Sequence, residues 1–223
     1  MSPEQSMHDW EPYFQAYLKD IHQILMWGYE GARTKIMPDD DEPVITGYIV
    51  AAMVDKLQEP STSDYYDRYE PHENMPVNTD GRTGKNRSLP DIVIRCKGIR
   101  PWLEFFIEAK RLKSNGFPIG EYIGKDGLQC YLRGDYAVDN EIAAMVAYIQ
   151  SDTPLRWFDQ LNHRFVSDKD GMLAIKSSLT HISVIPELHH EWISEHNRYC
   201  NRTIKLLHIF FQCCQSIEGS DGN

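Results

Sequence analysis

The chain has 223 residues, of which 41% are hydrophobic and 25% are charged, so a chain that is mainly disordered is excluded. Its 33 acidic and 23 basic residues give a net charge of −10, which excludes a polycation that coats nucleic acid by bulk attraction. The longest apolar runs, 48–54 and 142–149, are far shorter than the roughly 20 residues that span a bilayer, so no membrane helix is predicted.

The start of the chain and its cysteines both indicate an intracellular setting. The first thirty residues lack the basic start, apolar stretch and cleavage site of a signal peptide, which predicts a cytoplasmic protein. The five cysteines include no C-x-x-C pair and predict neither a disulfide framework nor a zinc knuckle.

Two helices are predicted in the first sixty residues. Apolar residues at spacings of three and four predict an amphipathic helix over 10–27 that ends at Gly28. A second helix begins near Glu42, where Pro43 suits a first helical turn, and ends before Pro60. The first helix either pairs two subunits as a homodimer or packs on the sheet of its own domain, and both interpretations stay open.

A β-hairpin is predicted in the middle of the chain, after a long loop over 61–88. Segments 91–96 and 102–110 are rich in β-branched and aromatic residues and are joined by a short turn. The later elements are a helix over 127–133, a strand over 142–149, a helix over 155–166, and strands over 181–185 and 203–211.

This alternation predicts an α/β or α+β fold, with a central mixed sheet flanked by helices. We expect one domain over 1–223. It comprises an N-terminal helical extension (1–37), a core (40–150) and a C-terminal part (151–223) that completes the sheet.

Three residues of the predicted hairpin form a candidate site. Side chains two apart on a strand share a face, so Glu108 and Lys110 are expected to be neighbours. A hairpin centred between positions 99 and 100 places Asp91 opposite Glu108, and a cation is expected between these two carboxylates. Paired carboxylates suit Mg²⁺, which leaves coordination positions for water and phosphate oxygens.

These residues resemble the signature of the PD-(D/E)XK nuclease superfamily, whose fold is called restriction-endonuclease-like. Pro90-Asp91 matches the PD element, and Glu108-Ala109-Lys110 matches the (D/E)-x-K element and is the one such triplet in the chain. The resemblance covers residues 40 to about 150. It implies that Asp91, Glu108, the carbonyl of Ala109 and Glu42 bind metal, and that Asp91, Glu108 and Lys110 are catalytic.

Charge is distributed unevenly around this hairpin. Residues 81–113 contain nine basic and three acidic side chains, a local net charge of +6 in a chain that is otherwise acidic. The resemblance and this charge predict a nucleic-acid-binding set: Arg82, Lys85, Arg87, Arg111, Lys113, Lys125 and Gln129. The alternative is a basic hairpin exposed to water, with Glu108 and Lys110 as a solvated pair.

The predicted function is a Mg²⁺-dependent phosphodiesterase, with Mn²⁺ as a substitute, that acts as an endonuclease on DNA in preference to RNA. The alternative is a catalytically silent nucleic-acid-binding or adaptor subunit with the same fold. The pattern Ser194-x-His196-x-Arg198 resembles bacterial defence-associated proteins, which implies anti-phage defence or restriction and a partner subunit. Tyr131 and Tyr136 are interpreted as packing residues.

Overall fold

The computed structural model describes the backbone of residues 3–78, 84–98 and 100–214, and their side chains from Pro12 onward. The elements are α1 (Pro3–Ala32), α2 (Glu42–Gln58), β1 (Tyr69–Glu73), β2 (Ile92–Cys96), β3 (Leu103–Leu112), α3 (Ile119–Tyr122), α4 (Leu128–Arg133), β4 (Ile142–Ile149), α5 (Pro154–Val166), β5 (Ile175–His181), β6 (Glu191–Asn197) and β7 (Thr203–Gln212).

The seven strands form one mixed sheet in the order β1-β2-β3-β4-β7-β6-β5. Strands β1, β2 and β3 are antiparallel neighbours, β3, β4 and β7 run parallel, and β7, β6 and β5 are antiparallel. The predicted class, a mixed sheet flanked by helices, is confirmed. Strands β5 to β7 come from the C-terminal third of the chain and lie in this same sheet.

Helices cover both faces of the sheet. Strand β4 is buried along its whole length, which explains why it reads as an unbroken apolar run. Its alternate residues Ala144, Val146 and Tyr148 pack with α1 and α2, whereas Met145 and Ala147 pack with α3, α4 and α5. The sheet therefore separates two hydrophobic cores.

Helix α1 continues past Gly28 to Ala32, so the predicted helix end is wrong. A Cβ atom at Gly28 would lie 2.6 Å from Met53 Cγ and 2.8 Å from the carbonyl oxygen of Ile49. The glycine therefore permits close packing of α1 against α2 and does not end the helix.

The apolar face of α1 is buried within its own chain. Ile21, Ile24 and Leu25 are fully buried, and His22 lies 2.5 Å from Glu191 of β6, also in the interior. Packing on its own sheet is therefore observed for this part of the helix, whereas Tyr13 and Phe14 nearer its start are exposed, and pairing of subunits stays a prediction. None of the helices in the described ranges is long and apolar enough to cross a bilayer.

The predicted strand over 181–185 is wrong, and strands β1 and β6 were not predicted. Residues 182–185 form a loop before Pro186, and the strand instead ends at His181. Strand β6 was not predicted, because its buried residues Ser194 and His196 are polar where an apolar pattern is expected. The predicted loop over 61–88 contains strand β1, which was not predicted because Glu70, Pro71 and His72 are not typical strand residues.

Candidate active site

The candidate site lies at the start of strand β2, where β3 continues beyond its pairing with β2. The hairpin pairs Ile92 with Ile107, which confirms the predicted register and brings Asp91 opposite Glu108. Pro90 carries no backbone N–H and cannot extend the ladder. Among the described residues, β3 beyond Ile107 therefore has no partner strand on this side.

Two carboxylates take the place of the missing strand. Asp91 Oδ2 accepts a hydrogen bond from the backbone N–H of Ala109 at 2.7 Å. Glu42 Oε2 accepts one from the backbone N–H of Arg111 at 3.1 Å. Glu42 is the first residue of α2, and a helix N-terminus stabilises a carboxylate. Asp91 and Glu42 thus bring two carboxylates to the unpaired edge of β3, and Glu108 of β3 itself provides a third.

The Lys110 ammonium lies at the centre of these acidic groups. Its Nζ donates to Glu108 Oε1 at 2.8 Å, to Glu42 Oε1 at 2.9 Å and to the carbonyl oxygen of Ala109 at 2.7 Å. It lies 3.8 Å from Asp91 Oδ2. The shared face of Glu108 and Lys110 is confirmed, and the cation near both carboxylates is the Lys110 ammonium, whereas the predicted metal ion stays a prediction. We call Glu42, Asp91, Glu108 and Lys110 the carboxylate cluster.

One residue that contacts the carboxylate cluster was not predicted to do so. Tyr136, in the loop after α4, is buried and its hydroxyl donates a hydrogen bond to Glu108 Oε2. Its ring packs near those of Phe106 and Tyr131, so the packing interpretation describes only part of its role. No spacing in the sequence links position 136 to position 108, since the contact depends on how α4 packs on the sheet.

Burial and mutual repulsion perturb the acidic groups. Burial, more than any other cause, raises the pKa of Asp91 to about 6, although Lys110 and the Ala109 N–H oppose this. Burial and the charge of Asp91 raise the pKa of Glu108 to about 8. Burial alone would lower the pKa of Lys110, but the charges of Glu108, Asp91 and Glu42 hold that pKa above its usual value. Three ionised carboxylates would exceed what one ammonium balances, and the raised pKa of Glu108 means that this group keeps its proton at neutral pH.

The donors of the cluster are all oxygens, the ligand type that Mg²⁺ takes in proteins. The Ala109 carbonyl and one oxygen each of Glu42, Asp91 and Glu108 lie 2.7–3.8 Å from Lys110 Nζ. These are distances to an ammonium, and they exceed Mg–O bonds of about 2.0–2.1 Å. The described part of the chain contains no group of three or more metal-ligating side chains arranged for a metal ion, so the metal site stays a prediction.

The predicted nucleic-acid-binding residues fall into three groups. Arg111 pairs with Asp41 at 3.0 Å, and Lys113 pairs with Asp39 at 2.6 Å, so an acidic turn before α2 already holds both. The others lie apart from the carboxylate cluster in the chain: Lys85 and Arg87 around a short 3-10 turn, Lys125 before α4 and Gln129 within α4. Arg82 lies outside the described residues.

The basic segment 81–113 is partly neutralised by its neighbours. Arg95 pairs with Glu104 across the hairpin at 2.7 Å, and Lys97 pairs with Glu70 of β1. Together with Lys110, Arg111 and Lys113, five of the eight basic residues that the structure describes in this segment have acidic partners. The sequence count of +6 therefore overstates the positive surface that a phosphate backbone would meet.

A second polar cluster, which is buried, lies on strands β6 and β7 and on helix α3. It consists of Tyr122, Ser194, His196 and His208, and we call it the histidine cluster. His196 Nδ1 donates to the Leu173 carbonyl at 2.6 Å, so its Nε2 accepts from the Ser194 hydroxyl at 2.7 Å. Ser194 Oγ then accepts from His208 Nε2 at 2.8 Å, and His208 Nδ1 accepts from the Tyr122 hydroxyl at 3.0 Å. Every group in this chain of hydrogen bonds is satisfied while neutral.

Comparison of the chain with protein-family models, with curated proteins and with solved structures gave no match in any of the three.

Proposed function

We propose that this protein is a divalent-metal-dependent nuclease that hydrolyses phosphodiester bonds, in DNA in preference to RNA and as an endonuclease. The observation that carries this proposal is the convergence of three carboxylates, one carbonyl and one lysine in a gap of the sheet. The preference for DNA rests on the resemblance of Pro90-Asp91 and Glu108-Ala109-Lys110 to the PD-(D/E)XK signature.

The residues of the carboxylate cluster would have two roles, metal binding and catalysis. Glu42, Asp91, Glu108 and the Ala109 carbonyl would hold Mg²⁺ or Mn²⁺. When bound, the metal would lower the pKa of a water and polarise the phosphoryl oxygen. Lys110 would orient the attacking water and stabilise the charge that develops on the phosphate. A water oxygen would form the new bond to phosphorus and release one proton to solvent, the bond to the leaving oxygen would break, and that oxygen would take up a proton.

A second function, a nucleic-acid-binding or adaptor subunit without catalysis, is favoured by one observation. Lys110 contacts all three acidic side chains, so the cluster already forms a salt-bridge network without a metal.

A role in anti-phage defence or restriction, with a partner subunit, rests on the pattern at Ser194, His196 and Arg198. All three side chains are buried, so their spacing also serves packing.

A cleavage assay separates the two functions. Wild type, Glu108→Gln and Lys110→Ala are incubated with circular DNA, linear DNA and RNA, with Mg²⁺, Mn²⁺ or a chelator. We expect each substitution to lower cleavage at least about 100-fold, the scale seen when one group that stabilises transition-state charge is removed. The matched control is Glu104→Gln on the same strand, whose carboxylate pairs with Arg95, and it should cleave like wild type.

Metal-dependent cleavage that survives both substitutions would refute the site assignment. A wild-type protein that binds nucleic acid and cleaves none of the three substrates with either metal would favour the adaptor function.

A further inference from the structure

Two carboxylates of the cluster each have one oxygen held by the backbone. Glu42 Oε2 accepts from the N–H of Arg111, which leaves Oε1 facing Lys110 Nζ. Asp91 Oδ2 accepts from the N–H of Ala109. Because both donors belong to β3, each carboxylate keeps a single oxygen that is not tied to the strand.

Glu108 follows the same pattern with a side-chain donor. Its Oε2 accepts from the Tyr136 hydroxyl, while its Oε1 faces Lys110 Nζ at 2.8 Å. Both Glu108 and Tyr136 are buried, at 7% and 3% exposure, so the hydrogen bond is shielded from competing water. Tyr136 is thus the one donor of this pattern that a substitution can remove without altering the backbone.

We infer that Tyr136 is a positioning residue that limits Glu108 to a one-oxygen contact with the bound cation. This inference rests on the proposed function, because it concerns the cation that the carboxylate cluster would hold. Mg²⁺ and Mn²⁺ suit single-oxygen contacts in an octahedral arrangement, whereas Ca²⁺ takes six to eight oxygens and often both oxygens of one carboxylate. Tyr136 therefore favours the smaller cations over Ca²⁺.

The substitution Tyr136→Phe tests this role with little change in shape. It removes the hydroxyl, retains the ring beside Phe106 and frees Glu108 Oε2. The matched control is Tyr131→Phe. Tyr131 is fully buried and its ring lies 5.1 Å from that of Tyr136, but its hydroxyl donates to the backbone carbonyls of Phe106 and Ala144.

Calorimetric titrations of the full chain with MnCl₂, MgCl₂ and CaCl₂ give the readout. The ratio of the Mn²⁺ to the Ca²⁺ association constant should fall about tenfold in Tyr136→Phe, the scale of outer hydrogen-bond effects on metal affinity. The ratio should stay at the wild-type value in Tyr131→Phe. Because the ratio is taken within one protein sample, a partly unfolded fraction affects both constants alike.

Three outcomes would overturn the inference. An unchanged ratio in Tyr136→Phe, with wild type binding Mn²⁺, would refute the role of Tyr136 and leave the proposed function standing. An equal fall in Tyr131→Phe would assign the effect to general packing. A wild-type chain that binds none of the three cations would refute the metal site itself.

Discussion

The carboxylate cluster and the histidine cluster occupy the same level of the sheet, with only β4 between them. Glu108 of β3 lies opposite Met145 of β4, which in turn lies opposite His208 of β7. Both clusters join residues far apart in the sequence, but the histidine cluster is buried throughout, whereas in the carboxylate cluster Glu108 is buried and Glu42, Asp91 and Lys110 are half-buried. Each cluster thus contains buried polar groups, so their burial alone does not distinguish a site from a scaffold.

The two clusters differ in charge and in hydrogen bonding. When ionised, the carboxylate cluster has three negative groups against one ammonium, and burial raises the pKa of both Asp91 and Glu108. The histidine cluster is neutral, and burial lowers the pKa of His208 to about 3. Excess negative charge favours the binding of a cation, whereas neutral groups whose hydrogen bonds are all satisfied stabilise the fold.

The largest expected effect on stability is in the histidine cluster. Ser194→Ala leaves two buried histidine nitrogens without a partner, at about 1–3 kcal/mol each, so the free energy of unfolding should fall by several kcal/mol. Glu108→Gln replaces a carboxyl that is mainly protonated at pH 7, because its pKa is raised to about 8, with a neutral amide of the same shape, and should leave the stability nearly unchanged. Urea unfolding at pH 7 measures both.

The control for this experiment is Ser177→Ala on the exposed strand β5. Its free energy of unfolding should stay within about 0.5 kcal/mol of wild type. If Ser194→Ala is equally mild, the hydrogen-bonded chain contributes little and the contrast between the clusters is lost.

The second prediction is that the clusters respond to pH in opposite directions. The folded pKa of Glu108, about 8, lies above its unfolded value of 4.5, so the native state binds the extra proton and stability falls as pH rises through this window. The folded pKa of His208, about 3, lies below its unfolded 6.5, so stability falls as pH drops through that window. Each group contributes at most about 1.4 kcal/mol per pH unit.

Urea unfolding between pH 4 and pH 9 tests these slopes. Glu108→Gln should flatten the alkaline fall and keep the acid fall, and His208→Gln should do the reverse. An alkaline slope that is identical in wild type and Glu108→Gln would show that Glu108 does not carry it.

The smallest expected effect is stabilisation by Mg²⁺. A cation that binds only the folded protein, at ten times its dissociation constant, should raise the free energy of unfolding by about 1.4 kcal/mol. Ser194→Ala should retain this increase, whereas Glu108→Gln should lose most of it. An equal increase in both variants would place the cation outside the carboxylate cluster.

Several features of the fold follow from sequence patterns of short range. The hairpin register follows from a constant sum of residue numbers, and it holds at Ile92 and Ile107. Strand β4 has its predicted bounds, and α2 begins at Glu42 as Pro43 indicates. Strand β6 was missed because its polar residues point inward, into contacts with β7 that no local pattern records.

The net charge of a surface also cannot be predicted from a count along the chain. Segment 81–113 is basic in composition, but its Lys113 pairs with Asp39 and its Arg111 pairs with Asp41, each about seventy positions away in the sequence. A count along the chain cannot include such partners, because the balance of a surface depends on distances in space.

Residue positions along the chain are enough to place Asp91 opposite Glu108, through the hairpin register, and Lys110 on the face of Glu108, because side chains two apart on a strand share a face. They do not indicate that Glu42 reaches Lys110 from the start of α2 or that Tyr136 holds the second oxygen of Glu108. Those contacts depend on how helices and loops pack on the sheet, and side-chain packing is a property of the whole fold.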